Sequence, residues 1–381
     1  MIQRKDIEKI LGNYDVDNIT IGVLGSHSAL DVCRGAKDIG FKTLVICEKG
    51  RDKTYSKYYK TAQNFGKTTG VVDEVLILDK FSDILNPEIA EKMRAKNVIF
   101  IPHRSFEVYV NFDYEKIENE FLIPLFGTRE ILKAEERTEE RNQYYLMEKA
   151  GIRYPRQFNS YKDIDRLVIV KANELERSYE REFFIVESPT EFESKTKEMI
   201  EKKIITEESV RDAVIEEYIV GTHVNFNYFY SPLRGEVELL GTDTRRQTNL
   251  DGMLRLTADE QLKVLKYVKP TLKEIGHIAC TTKESVLEMI FELGEKFVKA
   301  TKQEYPPGII GPFALQGAII PGPPKEEAII FDVSLRVQGS PGTRFTPYPG
   351  YFYNEEMSTG KRIALEIKEA IKKKKLIDIV T

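Results

Sequence analysis

Four short apolar runs, 18–24 (NITIGVL), 41–47 (FKTLVIC), 73–78 (DEVLIL) and 96–101 (KNVIFI), are separated by stretches of mixed polarity. In the first of those stretches, 28–40 (SALDVCRGAKDIG), apolar positions recur three and four residues apart and the segment closes on Gly40. That spacing predicts a helix with a glycine stop. Strands alternating with helices predict a doubly wound layer around a parallel sheet, an α/β arrangement. Ligands of such sheets sit at the carboxyl ends of the strands. Here those ends carry GSHS (25–28), EKGR (48–51) and PHRS (102–105).

Beyond residue 125 the pattern changes. Helical spacing over 137–152 is followed by an apolar strand ending in Lys171, a charged crossing, and a second apolar strand finishing at Val186. Residues 213–221 (AVIEEYIVG) read as a strand, 223–230 (HVNFNYFY) alternate with period two, and 236–241 (EVELLG) suit an antiparallel partner. A helix is predicted over 285–301, a long strand over 328–337 (AIIFDVSLRV) and a closing amphipathic helix over 358–375. The Pro/Gly-rich pieces at 306–311 and 321–324 read as turns, since apolar strands flank them closely.

Composition narrows the class of partner. Hydrophobic residues make up 41% and charged residues 31% of the 381, as in an ordinary globular protein. A net charge of −4 offers no basic field for nucleic acid or an anionic membrane. With no apolar run of about 18 residues and nothing resembling a leader, the expectation is a cytoplasmic protein. Cys33, Cys47 and Cys280 lack the spacing of a disulfide framework or a zinc site. Abundant Lys and Glu with no Trp lean toward a heat-adapted source.

Four places carry candidate chemistry. The turn GSHSAL holds His27 where a helix start favours an anion. His103 and Ser105, at the end of a later strand of the same layer, are expected to converge with His27 on one crevice, as the loops of any doubly wound layer do. Glu216 and Glu217 are either nucleotide-reading carboxylates or the solvated charges of an edge strand. Asp332, Ser334 and Arg336 alternate along one strand, so their side chains share a face. Acid, hydroxyl and guanidinium together suit Mg²⁺ and phosphate. The segment GPFALQG (311–317) is expected beside that strand, bringing Gln316 next to it.

Taken together, GSHSAL, GAKDIGFKT, IPHRSF, LMEKAGIRYPRQF, NYFYSPLRGEVELLGTDTRR, TNLDGMLR, PPGIIGPFALQ, FDVSLRV and MSTGKRIALEIKEAI resemble one family over nearly the whole chain. It is the archaeal formate-dependent synthetase of purine biosynthesis, an ATP-grasp enzyme. The resemblance implies a doubly wound N-terminal domain (1–125), a small ATP-grasp domain with a lysine hairpin (126–212) and a C-terminal ATP-grasp domain with metal and phosphate strands (213–381). It implies a ligase joining formate to aminoimidazole carboxamide ribonucleotide at the expense of ATP, with Mg²⁺, in a homo-oligomer. His27, Ser105 and Asn249 match substrate contacts, with His27 and Arg336 catalytic. Lys171, Glu216 and Glu217 match the ATP contacts, and Gln316 and Asp332 the metal ligands.

The chain also departs from the family pattern. Both metal positions are glutamates in the family. The loop after the lysine is glycine-rich there, whereas here it carries Glu174, Glu176, Glu180 and Glu182 with Arg177 and Arg181. Arg104 and Arg344 replace a glycine and an asparagine, adding two cations near the expected cleft. These departures motivate a second expectation, a non-catalytic or altered-substrate paralogue that binds a purine-pathway nucleotide.

Overall fold

A computed structural model describes residues 1–173, 181–271, 274–339 and 341–381. The first layer contains β1 (Thr20–Leu24), β2 (Lys42–Glu48), a small surface hairpin of β3 (Ala62–Asn64) and β4 (Lys67–Thr69), β5 (Glu74–Leu78) and β6 (Val98–Phe100). Four of these make an all-parallel sheet in the order β5-β2-β1-β6. Every residue of β1 is buried, as expected for a parallel strand covered on both faces. The helix Ala29–Ile39 follows β1 and ends on Gly40 at φ +96°, a left-handed position that glycine adopts without a Cβ penalty.

Two antiparallel sheets follow. The smaller comprises β7 (Gln157–Phe158), β8 (Val168–Asn173), β9 (Arg181–Val186) and β10 (Val214–Glu217), in the order β7-β10-β8-β9. Lys171 therefore lies inside β8, two residues before its end, because β9 pairs with β8 as far as Asn173. The sheet also needs β10, which lies past the expected cut at 212. β10 is an interior strand, not an edge, so Glu216 is buried between its neighbours. The loop carboxylates Glu174, Glu176 and Glu180, with Arg177, lie outside the described residues.

The larger sheet comprises β11 (Thr222–Ser231), β12 (Glu236–Gln247), β13 (Glu274–Cys280), β14 (Gly311–Ile320) and β15 (Glu327–Ser334), in the order β13-β12-β11-β14-β15. The helix Leu287–Glu304 packs on it through Ile290, Leu293 and Phe297, in one core with Tyr144 and Met147 of the helix Gln143–Ala150. The closing helix Thr359–Lys373 does not stay with this sheet. It crosses back to the first layer, where Ile363 and Ile367 share a core with Val32 and Ala36. Gly35 and Gly360 allow that crossing, since a Cβ on either would overlap the backbone of the other helix. Among the described residues, no helix is long and apolar enough to cross a membrane.

Candidate active site between the sheets

Strand register assembles the site. Asp243 of β12 lies opposite Asn225 of β11, Asn225 opposite Gln316 of β14, and Gln316 opposite Asp332 of β15. One pair along, Arg245 faces His277 of β13. A row of polar side chains thus runs across all five strands on the face opposite the apolar core. Two cavities open on it, of about 300 and about 380 Å³. Arg137, Asn225, Arg245 and Asp332 line both, so they form the junction between them.

Lys171, Glu216 and Glu217 line the larger cavity, together with Phe331. Val214 pairs with Lys171, which sets Glu216 as its diagonal neighbour across the strands. The Lys171 ammonium and the Glu216 carboxylate are in direct contact, both under a tenth exposed. Burial pulls the lysine pKa down, against the pull of Glu216. The Tyr144 hydroxyl donates to the second Glu216 oxygen at 2.8 Å, so the carboxylate is fully engaged. Glu217 is more open, 3.6 Å from Arg166.

His27 and Arg336 line the smaller cavity. The His27 ring is exposed to the cavity, with His103 stacked beside it at 5.3 Å. Burial within the cleft, then the neighbouring His103 and Arg336, hold its pKa well below the usual imidazole range. It is therefore a neutral imidazole, with Nδ1 2.9 Å from the Ser28 hydroxyl. Arg336 donates to Glu135 at 2.7 Å and to Glu107 at 3.3 Å. Burial pushes the Glu135 carboxyl up to about 8, against the pull of Arg336. Arg104 reaches the same cavity and pairs with Glu136 at 3.0 Å. Arg344 does not: it pairs with Glu356 at the surface, so of the two extra cations only one faces the cleft.

Ser105 and Asn249 are not among the described residues that line these cavities. Ser105 donates to Ser26 at 3.0 Å, behind the His27 turn. Asn249 accepts from the Thr271 amide and donates to the Lys269 carbonyl, both at 2.8 Å, pinning two segments beside the larger cavity. Both side chains are half-buried.

The expected metal pair is side by side, as the β14–β15 register dictates, but its donors are taken. Gln316 Oε1 accepts from Arg245, and Gln316 Nε2 donates to Ser334 at 2.9 Å. Asp332 Oδ1 accepts from Arg137 at 2.8 Å, and Oδ2 lies 3.8 Å from Arg245. One carboxylate and one neutral amide, both facing guanidinium groups, do not fit a protein-held divalent cation, whose affinity rises with ligand charge. Among the described residues no group of three His, Cys, Asp or Glu is placed to hold a metal ion.

Several site residues escape the sequence reading. Asp243 is buried and receives the Asn225 and Asn227 amides at 2.8 and 2.6 Å, with His277 Nδ1 in contact. His277 Nε2 meets Glu274 at 2.8 Å. Burial would lower the His277 pKa, but Asp243 and Glu274 overcome it and push it up to about 9. Gly339 leaves room for both rings: a Cβ there would come within 3.0 Å of His27 Nε2 and 3.3 Å of His277 Nε2. One signal was present in the sequence. Asn225 and Asn227, like Asp243 and Arg245, are polar residues two apart inside apolar strands.

Two family models, each described only as a domain or protein of unknown function, match residues 21–158 and 191–381. The chain is 39% identical over 382 residues to the 5-formaminoimidazole-4-carboxamide-1-(beta)-D-ribofuranosyl 5'-monophosphate synthetase of Methanopyrus kandleri, covering all of both chains. A crystal structure of an IMP biosynthesis protein from Thermococcus kodakaraensis superposes with a TM-score of 0.67 at 27% identity, over 95% of this chain and 100% of that one. An ADP complex of N5-carboxyaminoimidazole ribonucleotide synthetase, at 10% identity and TM-score 0.55 over 90% and 75% of the two chains, shares the fold alone. That fold is the ATP-grasp.

Proposed function

The chain belongs to the family of 5-formaminoimidazole-4-carboxamide ribonucleotide synthetases of purine biosynthesis, ATP-grasp carbon–nitrogen ligases, and we propose that it joins formate to the amine of aminoimidazole carboxamide ribonucleotide. The observation that supports this best is the pair of cavities meeting at Arg137, Asn225, Arg245 and Asp332. One is lined by the Lys171–Glu216 pair and Phe331, suited to a nucleotide; the other is lined by His27 and Arg336.

In the proposed reaction a formate oxygen attacks the γ-phosphorus of ATP, and the bond to the β-bridging oxygen breaks, releasing ADP. The amine nitrogen then attacks the formyl carbon, phosphate leaves with the C–O bond, and the nitrogen loses one proton. Both steps require alignment at the junction, where fixed geometry replaces a bimolecular encounter. Lys171 holds phosphate oxygens from the nucleotide side. Arg336, locked by Glu107 and Glu135, meets the charge of the acyl phosphate from the other side. His27, neutral, offers a hydrogen-bonding nitrogen to the ribonucleotide. No step is assigned to a protein-held cation.

The test is direct. Purified protein, ATP, formate and the ribonucleotide are incubated with and without Mg²⁺, and ADP and formamido product are followed together. Stoichiometric ADP and product support the reading. The guanidinium-capped donors at Gln316 and Asp332 favour a second reading, a nucleotide-binding protein without turnover. Tight ribonucleotide binding with neither ADP nor product decides for that one.

A further inference from the structure

We propose that the guanidinium groups of Arg137 and Arg245 neutralise the phosphates of a bound nucleoside triphosphate in place of a divalent ion held by the protein. This rests on the reading of the joined cavities as an ATP site, and concerns how that site supplies positive charge.

Three observations carry it. Arg137 and Arg245 line both cavities, so a phosphate chain reaching from the Lys171 side toward His27 passes both of them. They also bond the two side chains expected to hold the metal: Arg137 to Asp332 at 2.8 Å, and Arg245 to the Gln316 amide oxygen. A hard dication drawn to those oxygens would have to displace both guanidinium groups or sit against their charge. Finally, the carboxylates around the junction already face protein cations. Asp332 faces Arg137, Glu216 faces Lys171, Asp243 faces His277, and Glu274 faces Arg245 at 3.2 Å.

Gln316 is the position on which this turns. A carboxylate there would add the second negative charge that draws a dication. The amide instead accepts from Arg245 while donating to Ser334, so it adds no negative charge to those of Glu274 and Asp332 that already face this guanidinium. Arginine suits the task because its planar fork matches phosphate oxygens and its charge persists at any working pH.

The experiment is calorimetric titration of the full chain with ADP and with ATP, in excess chelator and in saturating Mg²⁺. The expected result is a Kd that changes by less than about threefold between the two conditions. Gln316→Glu should convert the site to a metal-requiring one, binding at least about tenfold more weakly in chelator than in Mg²⁺. Arg245→Ala should weaken binding in chelator by about tenfold or more, whereas Arg344→Ala, at the surface, should change nothing. If Arg245→Ala fails to fold, the wild-type comparison and Gln316→Glu still decide. Wild-type binding more than about thirtyfold weaker in chelator overturns the inference and leaves the ATP site standing. Absence of nucleotide binding under every condition overturns both.

Discussion

Removing the Lys171 ammonium would leave the Glu216 carboxylate buried, with the Tyr144 hydroxyl as its remaining hydrogen-bond partner among the described residues. Breaking one side of a buried pair costs about 3–5 kcal/mol, more than the pair contributes when intact. Lys171→Met is therefore expected to lower stability by about that amount, and Lys171→Met/Glu216→Gln by less than the single change. Urea unfolding of the cycle checks this; an additive result would mean the pair is not coupled. His277 makes a pH prediction. Its folded pKa is about 9, against an unfolded value of about 6.5. A group raised in this way contributes stability that is complete below about pH 6.5 and is lost as pH rises through about 9. Wild-type stability should fall over that window. His277→Gln, which keeps a donor toward Asp243 but cannot titrate, should be less stable at neutral pH and should flatten that part of the profile.

At the scale of elements, the site exists because the antiparallel strands place Asp243, Asn225, Gln316 and Asp332 opposite one another in turn. A shift of one residue in β14 would carry Gln316 to the opposite face and break the polar row from Asp243 to Asp332. The helix pair shows a different constraint. Gly35 and Gly360 stand where the two helices touch through backbone, and Gly360 N donates to Asp31 at 2.8 Å. Gly35→Ala should force the helices apart and cost at least about 1–3 kcal/mol, the usual range for overpacking. A lowered midpoint in thermal unfolding, with an unchanged far-ultraviolet spectrum of the folded state, is the expected signature. An unchanged midpoint would show that the crossing yields easily.

At the scale of the molecule, the three sequence segments are not three separate cores. The helix Thr359–Lys373 completes the first layer, and residues 131–152 complete the large sheet. A fragment of residues 1–125 would expose the Val32 and Ala36 face that Ile363 and Ile367 cover. It should lack a cooperative urea transition, whereas the whole chain should unfold cooperatively; a sharp transition in the fragment would refute the shared core.

By itself the sequence determined the layers. Period-two and helical spacing are local, so the parallel strands, the β14–β15 pairing of Gln316 with Asp332, and the closing helix are all legible in the order of the residues. The family resemblance marked Lys171, Glu216, His27 and Arg336, which do line the two cavities. What only tertiary structure decided is which charges meet. Arg137 and Asp332 are 195 residues apart, and Arg245 and Gln316 are 71 apart. No spacing rule connects residues at such distances. In the sequence Arg344 looked as well placed as Arg104, yet it turns to Glu356. The same reason ties Ser105 to Ser26 and Asn249 to the backbone of Lys269 and Thr271: a side chain's direction follows from what packs around it, and that is supplied by distant parts of the chain.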